Sequence, residues 1–452
     1  MSGHYDETAL QEYLDDPDAV PDRAALEEHV AVCATCSALL DELRAFDVTL
    51  TADATWEEAP AAAIEAEPPE AIRMLAELLA TEDAEAQRTL DPLLGSPMAF
   101  RRANTTTMPP MRTAGVVRRL CVESRQLRER QPMHALVVAD AAIAIADQLA
   151  FERYPSALLD ELRGDAWYER ANVLRYLGRY PEALDALDIS ARAFARSPVA
   201  AFSGAIVDYL RSVIFVELDR FDDARRLARK SARIFRQFGE NERFLHAKIV
   251  EASVLFHENR LRESRELFVS LLPQAKDLGK PETLARLFAN VANCEVRLGE
   301  FDSAESYFAR ALSLYEAVGL ETGKIRTRWN IGSLRLAAGD VEEGLLRLRE
   351  ARREFEQIGA HTDAALVTLE IVEALLSTGE RRDAHEAAEL CSGLADSFAA
   401  VGMTGNALTA VGFLRQAFES GQVTPDLVRH IRQYIETRPD QEGNPFIPPP
   451  GI

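Results

Sequence analysis

Three residues near the N-terminus have the types and spacing to hold a metal ion: His29, Cys33 and Cys36 in the run His29-Val-Ala-Val-Cys33-Ala-Thr-Cys36. Positions four apart share one face of a helix, and a cysteine three further on closes the turn. One imidazole and two thiols can therefore converge on one point. Soft thiolates beside imidazole favour zinc. A tetrahedral site needs a fourth donor, for which His4 is the first candidate, Asp6 the second and Asp41 the third. Two other readings compete: cysteines that only fill a small core, and a bare redox dithiol. The dithiol lacks the βαβ surroundings expected of it. A His-x-x-x-Cys-x-x-Cys run in a short helical head favours the metal.

Nothing else in the chain suggests catalysis. There is no phosphate-binding glycine loop, nucleophile elbow, His-Glu-x-x-His motif or dinucleotide fingerprint, so an enzyme is not expected. Cys121 and Cys294 have no cysteine or histidine nearby in sequence, and Cys391 falls at a small helix-packing position, so all three read as core. His246 and His257, eleven apart, map to the inner face of one repeat and read as groove lining rather than a metal pair.

The elements that must position the cluster are helical. The chain has 452 residues, 51 Lys+Arg and 73 Asp+Glu, and a formal net charge of −22. Residues 1–100 hold 23 acids and 4 bases, a net of −19, which leaves −3 for the rest. That field repels nucleic acid and suits a basic protein surface. No run reaches the ~18 uncharged apolar residues of a membrane span. Five cysteines are too few for a disulfide scaffold, and no secretory signal is visible, so a cytoplasmic protein is expected. Residues 1–50 read as a head of three short helices, at Glu7 to Leu14, Asp22 to Ala31 and from Ser37. Residues 51–112 read as an acidic linker carrying one helix over 69–81, with Ile72, Leu75, Leu78 and Leu79 on one side and loop from 92.

From 113 the sequence repeats. Gly178, Asp219, Asn259, Gly299, Gly339 and Gly379 are spaced by 41, 40, 40, 40 and 40 residues, and Gly239, Gly279, Gly319 and Gly359 form a second series. Five residues after each turn of the first series stands a small residue: Ala183, Ala224, Ser264, Ala304, Gly344, Ala384. Seven before it stand Ala171, Ser212, Ala252, Ala292, Gly332 and, as an exception, Val372. Small residues at these points let paired antiparallel helices cross closely. Tyr180, Phe221, Leu261, Phe301 and Val341 anchor the second helices. Arg381 breaks the rule, which marks the last unit as a cap.

This pattern resembles the tetratricopeptide repeat (TPR) family, above all in Ala166-Trp-Tyr-Glu-Arg-Ala-Asn-Val-Leu-Arg-Tyr-Leu-Gly-Arg-Tyr-Pro-Glu-Ala183. The resemblance implies an all-α fold: the head, then a right-handed TPR superhelix of about seven helical hairpins over 113–403, capping helices over 404–437 and a disordered tail over 438–452. It also implies a groove for a protein or peptide, lined by Tyr168, Asn172, Arg175, Tyr176, Tyr209, His246, Phe256, Asn293, Arg297, Arg326 and Trp329, some of which could instead pack between repeats. Asn, Arg and aromatic side chains together suit an extended peptide.

The head resembles a second family, the zinc-finger domain of zinc-containing anti-sigma factors. The residues that carry it are His4, Tyr13-Leu14-Asp15, Arg23-Ala-Ala-Leu-Glu-Glu-His29, Cys33 and Cys36. This implies Zn²⁺ held by His4, His29, Cys33 and Cys36. It also implies that the helix with Ile72, Leu75, Leu78 and Leu79 helps wrap a partner, an ECF-type sigma factor or other basic protein. Asp16-Pro17 replaces the usual glycine-bearing turn, and there is no transmembrane helix. The expected function is a soluble bacterial regulator that sequesters a sigma factor through its head while the groove binds a protein or peptide. The alternative is a TPR scaffold whose zinc module is structural.

Overall fold

The computed structural model describes residues 4–5, 10, 13, 23–38, 40–41, 70–94, 100, 111–128, 131–197, 200–358, 360–400, 406–436, 446–447 and 449. The expected linker Ala54–Pro69 lies outside them, as do Asp6, Gly359 and most of the first expected helix. The chain divides into two compact units, Met1–Ala80 and Thr81–Ile452.

In the first unit, α1 (Arg23–Val32) sits where an Asp22-capped helix was expected, and residues 34–38 are helical again. Leu10, Leu26, Cys36 and Leu40 form a small core, with Tyr5, Tyr13, Val30 and Cys33 packed against it. Arg23 and the Tyr13 hydroxyl both bond Glu27, at 2.7 and 3.1 Å, and together hold its carboxyl below the usual range.

The division falls within α2 (Glu70–Leu94). This corrects the helix expected over 69–81 and the loop expected from 92. The buried residues Glu82, Ala86, Leu90 and Leu94 recur every fourth position and give α2 a second apolar stripe. Glu82 is 2% exposed. It accepts hydrogen bonds from the Tyr154 hydroxyl at 2.8 Å and the Gly115 amide at 3.3 Å, and pairs with Arg153. Burial and the Glu82 charge push the Tyr154 hydroxyl up to about 12.

The second unit is built from α3 (Ala114–Leu127), α4 (Pro132–Ala146), α5 (Ser156–Tyr176), α6 (Tyr180–Phe194), α7 (Ala200–Glu217), α8 (Phe221–Gln237), α9 (Asn241–His257), α10 (Leu261–Asp277), α11 (Pro281–Leu298), α12 (Phe301–Val318), α13 (Glu321–Ala337), α14 (Val341–Gln357), α15 (His361–Thr378), α16 (Arg381–Ala400), α17 (Asn406–Glu419) and α18 (Pro425–Glu436). The described residues form helices and connecting turns, without strands. Helices α3 to α16 pair as seven consecutive hairpins, each stacked on the next, and α18 packs on α15 as a cap. This is the expected TPR superhelix.

The turns explain the 40-residue period. Gly178, Gly299, Gly339 and Gly379 all have positive φ, and Asp219 (φ 54) and Asn259 (φ 63) take the same left-handed conformation. Asn and Asp are the side chains that tolerate it best. The small residues sit where helices cross: Ala171, Ala183, Ser212, Ala224, Ala252, Ser264, Ala292 and Ala304 are buried. Ser264 donates across its hairpin to the Ala252 carbonyl at 2.7 Å. The anchors weaken along the array. Tyr180 is buried, Phe221, Leu261 and Phe301 are half-buried, and Val341 is 38% exposed. At the capping hairpin, Ala384 is exposed.

The tail corrects another expectation. Phe446, placed by sequence in a disordered segment, is buried against Phe413, His430 and Tyr434 at ring-centroid distances of 5.6, 5.7 and 5.2 Å. The His430 ring lies 3.0 Å from the Ile447 carbonyl.

Candidate metal centre and binding groove

His29 lies in the last turn of α1, and the backbone continues helically past it: the Cys33 amide bonds the His29 carbonyl at 2.8 Å and the Ser37 amide bonds the Cys33 carbonyl at 2.9 Å. His29, Cys33 and Cys36 therefore face one point. His4 comes from the other side of the head, its Nδ1 3.3 Å from Cys33 Sγ and 3.7 Å from Cys36 Sγ. One donor atom from each of the four lies within 4.8 Å of the others. With zinc bonds of about 2.0–2.3 Å, the edges of a tetrahedron are roughly 3.3–3.8 Å, so the two measured edges fit. His29 Nε2 is buried with no hydrogen-bond partner, as a nitrogen reserved for a metal would be. Asp41 is exposed and outside the cluster.

The two thiols differ. The Cys36 amide, and after it the His4 ring, lowers the Cys33 thiol to about 6. Burial pushes the Cys36 thiol up despite its contact with the Tyr5 carbonyl at 3.9 Å. Tyr5 also sets the His29 ring edge-on at 5.1 Å. The remaining cysteines are buried. Burial pushes Cys121 well above the usual range, Cys294 up and Cys391 to about 12.

Five of the groove candidates gather at the start of the array. Tyr168, Asn172, Arg175 and Tyr176 lie on α5 and Tyr209 on α7. Asn172, 7% exposed, accepts from Arg175 Nε at 3.2 Å. The Arg175 guanidinium stacks over Tyr176 at 4.2 Å and Arg128 approaches the same ring at 5.7 Å. Buried Glu169 anchors this end, bonded by Arg125 at 2.9 Å and 2.5 Å. Burial, then the Glu169 charge, pushes Tyr168 up and raises Asp165 to about 6.

Further along, several candidates bridge repeats. Trp329 Nε1 donates to Glu370 at 2.5 Å and Arg326 pairs with Asp363 at 2.9 Å. Arg297 bonds the Phe256 carbonyl and Asn259 Oδ1 at 3.2 and 2.8 Å, its guanidinium over the Phe256 ring. Tyr209 packs on Phe235, and Asn293 is half-buried on α11. His246 and His257 are not brought together. His246 Nε2 lies 3.4 Å from Thr283 Oγ1, whereas His257 stacks on Phe221 at 5.9 Å. On α2, Ile72 is 57% exposed and Leu75, Leu78 and Leu79 are half-buried.

A scan of protein-family models finds no match, and neither does a search of curated proteins. Among solved structures, the chain is similar to a Rap protein complexed with competence and sporulation factor: 13% identity over 80% of this chain and 100% of that one, TM-score 0.51. It also aligns with NprR in complex with its cognate peptide NprX (15% identity, 79% and 99% covered, TM-score 0.48). Aspartyl phosphate phosphatase F from Bacillus subtilis aligns too (15%, 79% and 95%, TM-score 0.46). The first likeness establishes a TPR-type helical repeat fold. No helix among the described residues is long and apolar enough to cross a membrane.

Proposed function

We propose that this chain is a regulatory protein that works by binding, with a protein or peptide held along the inner face of its TPR array and one Zn²⁺ in its head. The observation that carries the groove reading is the cluster of Tyr168, Asn172, Arg175, Tyr176 and Tyr209, aromatic faces beside an amide and a guanidinium. Such a set grips backbone, carboxylates and apolar side chains together. The Rap protein of like fold was solved in complex with competence and sporulation factor, which supports the same use here. His4, His29, Cys33 and Cys36 would hold the zinc, which would tie the N-terminal segment to α1. Buried thiols at Cys121, Cys294 and Cys391, all pushed up, support binding rather than thiol catalysis.

The finer reading gives the head an ECF-type sigma factor, or another basic protein, as partner. Its net −19 over residues 1–100 and the exposed Ile72 and Met74 support a basic surface with an apolar spot. A scaffold with a purely structural zinc module is favoured by Glu82, which commits the second half of α2 to the array. The test is co-purification with the tagged full-length chain. Loss of a bound protein in Cys33→Ser but not Tyr209→Ala assigns it to the head, and the reverse assigns it to the groove. Recovery of no specific protein or peptide would overturn the binding reading.

A further inference from the structure

Two ion pairs show how the register closes the surface beside the second helices. Lys230 on α8 pairs with Asp208 on α7 at 2.9 Å, and Arg349 on α14 pairs with Glu386 on α16 at 2.7 Å. Eighty residues after the first pair and eighty before the second, neither is present. Arg310 on α12 and Phe288 on α11 hold the places of Lys230 and Asp208, and Val269 on α10 and Ser306 on α12 hold those of Arg349 and Glu386. The first pair keeps its cation and exchanges its carboxylate for a ring. The second becomes two groups that cannot form an ion pair. At this point a shallow recess of about 550 Å³ lies between α11 and α12, lined by Leu284, Phe288, Ser306, Arg310, Ser313 and Leu314 among others. None of the groove candidates lines it.

Arg310 is exposed, and its guanidinium lies 5.7 Å from the Phe288 ring centroid and 5.5 Å from that of Tyr307. No described carboxylate pairs with it. The places one turn away on α12 are Ser306, Tyr307, Ser313 and Leu314, with no acid among them. Glu305 and Glu316, the next acids on α12 in either direction, are bound by Arg335 and, at 3.5 Å, by Arg328. One turn either way from Phe288 stand Leu284, Ala285, Val291 and Ala292. On α10, Glu266 follows Arg262 by four residues and Asp277 adjoins Lys276, so neither brings a spare negative charge. Arg310 is thus a cation whose partners are ring faces. Beside it, the exposed Ser306 and Ser313 hydroxyls make no hydrogen bond to described residues.

We propose that this recess is a ligand site separate from both the groove and the zinc cluster, and that it takes a small aromatic carboxylate. The carboxylate takes the place beside Arg310 that Asp208 holds beside Lys230, bonded by two parallel N–H groups of the guanidinium. An exposed cation over a ring is held weakly, so Arg310 turns from the rings to a carboxylate at little cost. The ligand's own ring then lies offset over Phe288, against Leu284 and Leu314, and the serine hydroxyls donate to its oxygens. The dimensions agree. Small-molecule sites span about 300–1,000 Å³, and the stretch of α12 from Ser306 to Ser313 is about 10 Å long at ~1.5 Å per residue, the length of a two-ring acid.

The test is titration of the full-length protein with naphthoate, followed by saturation-transfer NMR. Naphthamide, which keeps the rings without the charge, and acetate, which keeps the charge without the rings, are the comparisons. Naphthoate should saturate with a dissociation constant of about 1 mM or below, and both comparisons should bind about tenfold more weakly or not at all. Arg310→Gln should weaken naphthoate about tenfold, and Arg310→Lys should retain part of the binding. Arg310 is exposed and makes no ion pair, so neither variant threatens the fold. No saturable binding, equal binding of naphthoate and naphthamide, or naphthoate binding that Arg310→Gln leaves intact overturns the inference. The groove and zinc readings stand in each of these cases.

Discussion

The Gly115 backbone lies so close to that of Glu82 that a methyl group on Gly115 would sit 2.4 Å from the Glu82 carbonyl carbon. The Gly115 amide also donates to the Glu82 carboxylate, so one pair of residues makes both a close backbone approach and a buried polar bond. Helix α2 is held to the first hairpin there, with Arg118–Asp83 at 2.6 Å and Arg119–Asp91 at 2.8 Å as outer ties.

Gly115→Ala should therefore undock the second half of α2. Neither backbone can yield cheaply, so the expected cost is about 1–3 kcal/mol. Hydrogen exchange should show lost protection over Thr81–Leu94 while α9 to α14 keep theirs. Glu82→Gln should act in the same direction, because it leaves Arg153 without its carboxylate. Protection unchanged in both variants would show that this contact does not hold the helix.

The head should bind one zinc per chain. Cobalt substitution should give the visible spectrum of a tetrahedral two-sulfur, two-nitrogen site, and Cys33→Ser or His29→Ala should abolish it. So few apolar residues line this core that the metal should supply on the order of 10 kcal/mol of the head's folding free energy. A chelator should unprotect α1 and leave the array intact, since each hairpin depends on its neighbours. Metal analysis well below one equivalent, with α1 still protected, would rule the site out.

What the sequence made legible follows from what repeats. Left-handed turns demand Gly, Asn or Asp, close helix crossings demand small residues, and both demands recur at a fixed interval, so the seven hairpins could be read directly. The His/Cys cluster of the head was legible because residues of the types that can ligate a metal are few and the spacing that brings them together is strict. Glu82 was not, since a buried glutamate looks like any linker acid until Arg153, Tyr154 and Gly115 are placed around it. The four-residue recurrence of Glu82, Ala86, Leu90 and Leu94 was present in the sequence, but its first member is an acid, so the apolar face of the expected helix ended with Leu79. Trp329 and Arg326 looked like groove residues because family register fixes the face a side chain occupies and not the partner it finds there.

Trp329 and Glu370 should consequently matter for stability. Trp329→Phe keeps the ring packed at right angles to Phe355 but removes the donor to Glu370. Losing a hydrogen bond to a carboxylate should cost roughly 1.5–3 kcal/mol. The loss should show as faster hydrogen exchange in α13 and α15, with Glu370→Gln recovering part of it in the double variant. Unchanged exchange in Trp329→Phe would mark the residue as free for a ligand after all.

His246 gives the array an acid-sensitive point. Burial, and then Arg286, lower its pKa from 6.5 to about 4, with Arg243 and Lys280 acting in the same direction and Glu242 against them. The unfolded chain binds this proton between pH 6.5 and 4 and the folded chain does not, so His246 costs stability as the pH falls through that window. Asp165, raised to about 6 chiefly by burial, works oppositely: the folded chain holds its proton where the unfolded one releases it, which adds stability on acidification. His246→Gln should thus melt higher than the parent at pH 5 relative to pH 7, by an amount on the order of 1–3 kcal/mol. Equal differences at the two pH values would show that His246 titrates normally.

The packed Phe446 makes the last prediction local. Its ring fills a cradle of Phe413 on α17 and His430 and Tyr434 on α18, and the Ile447 carbonyl adds a contact with the His430 ring. Phe→Ala in a closed core costs about 3–5 kcal/mol. Here the segment also regains chain entropy when it lets go, at about 1–2 kcal/mol per residue released, so the net cost should be smaller. Because stability in a stacked array passes only between neighbours, Phe446→Ala should speed hydrogen exchange in α17 and α18, reach α15 weakly through its contact with α18, and leave α5 to α11 unchanged. Exchange that stays slow in α18 would mean the aromatic cradle closes without its ring. A loss spread along the whole array would mean the hairpins unfold as one block.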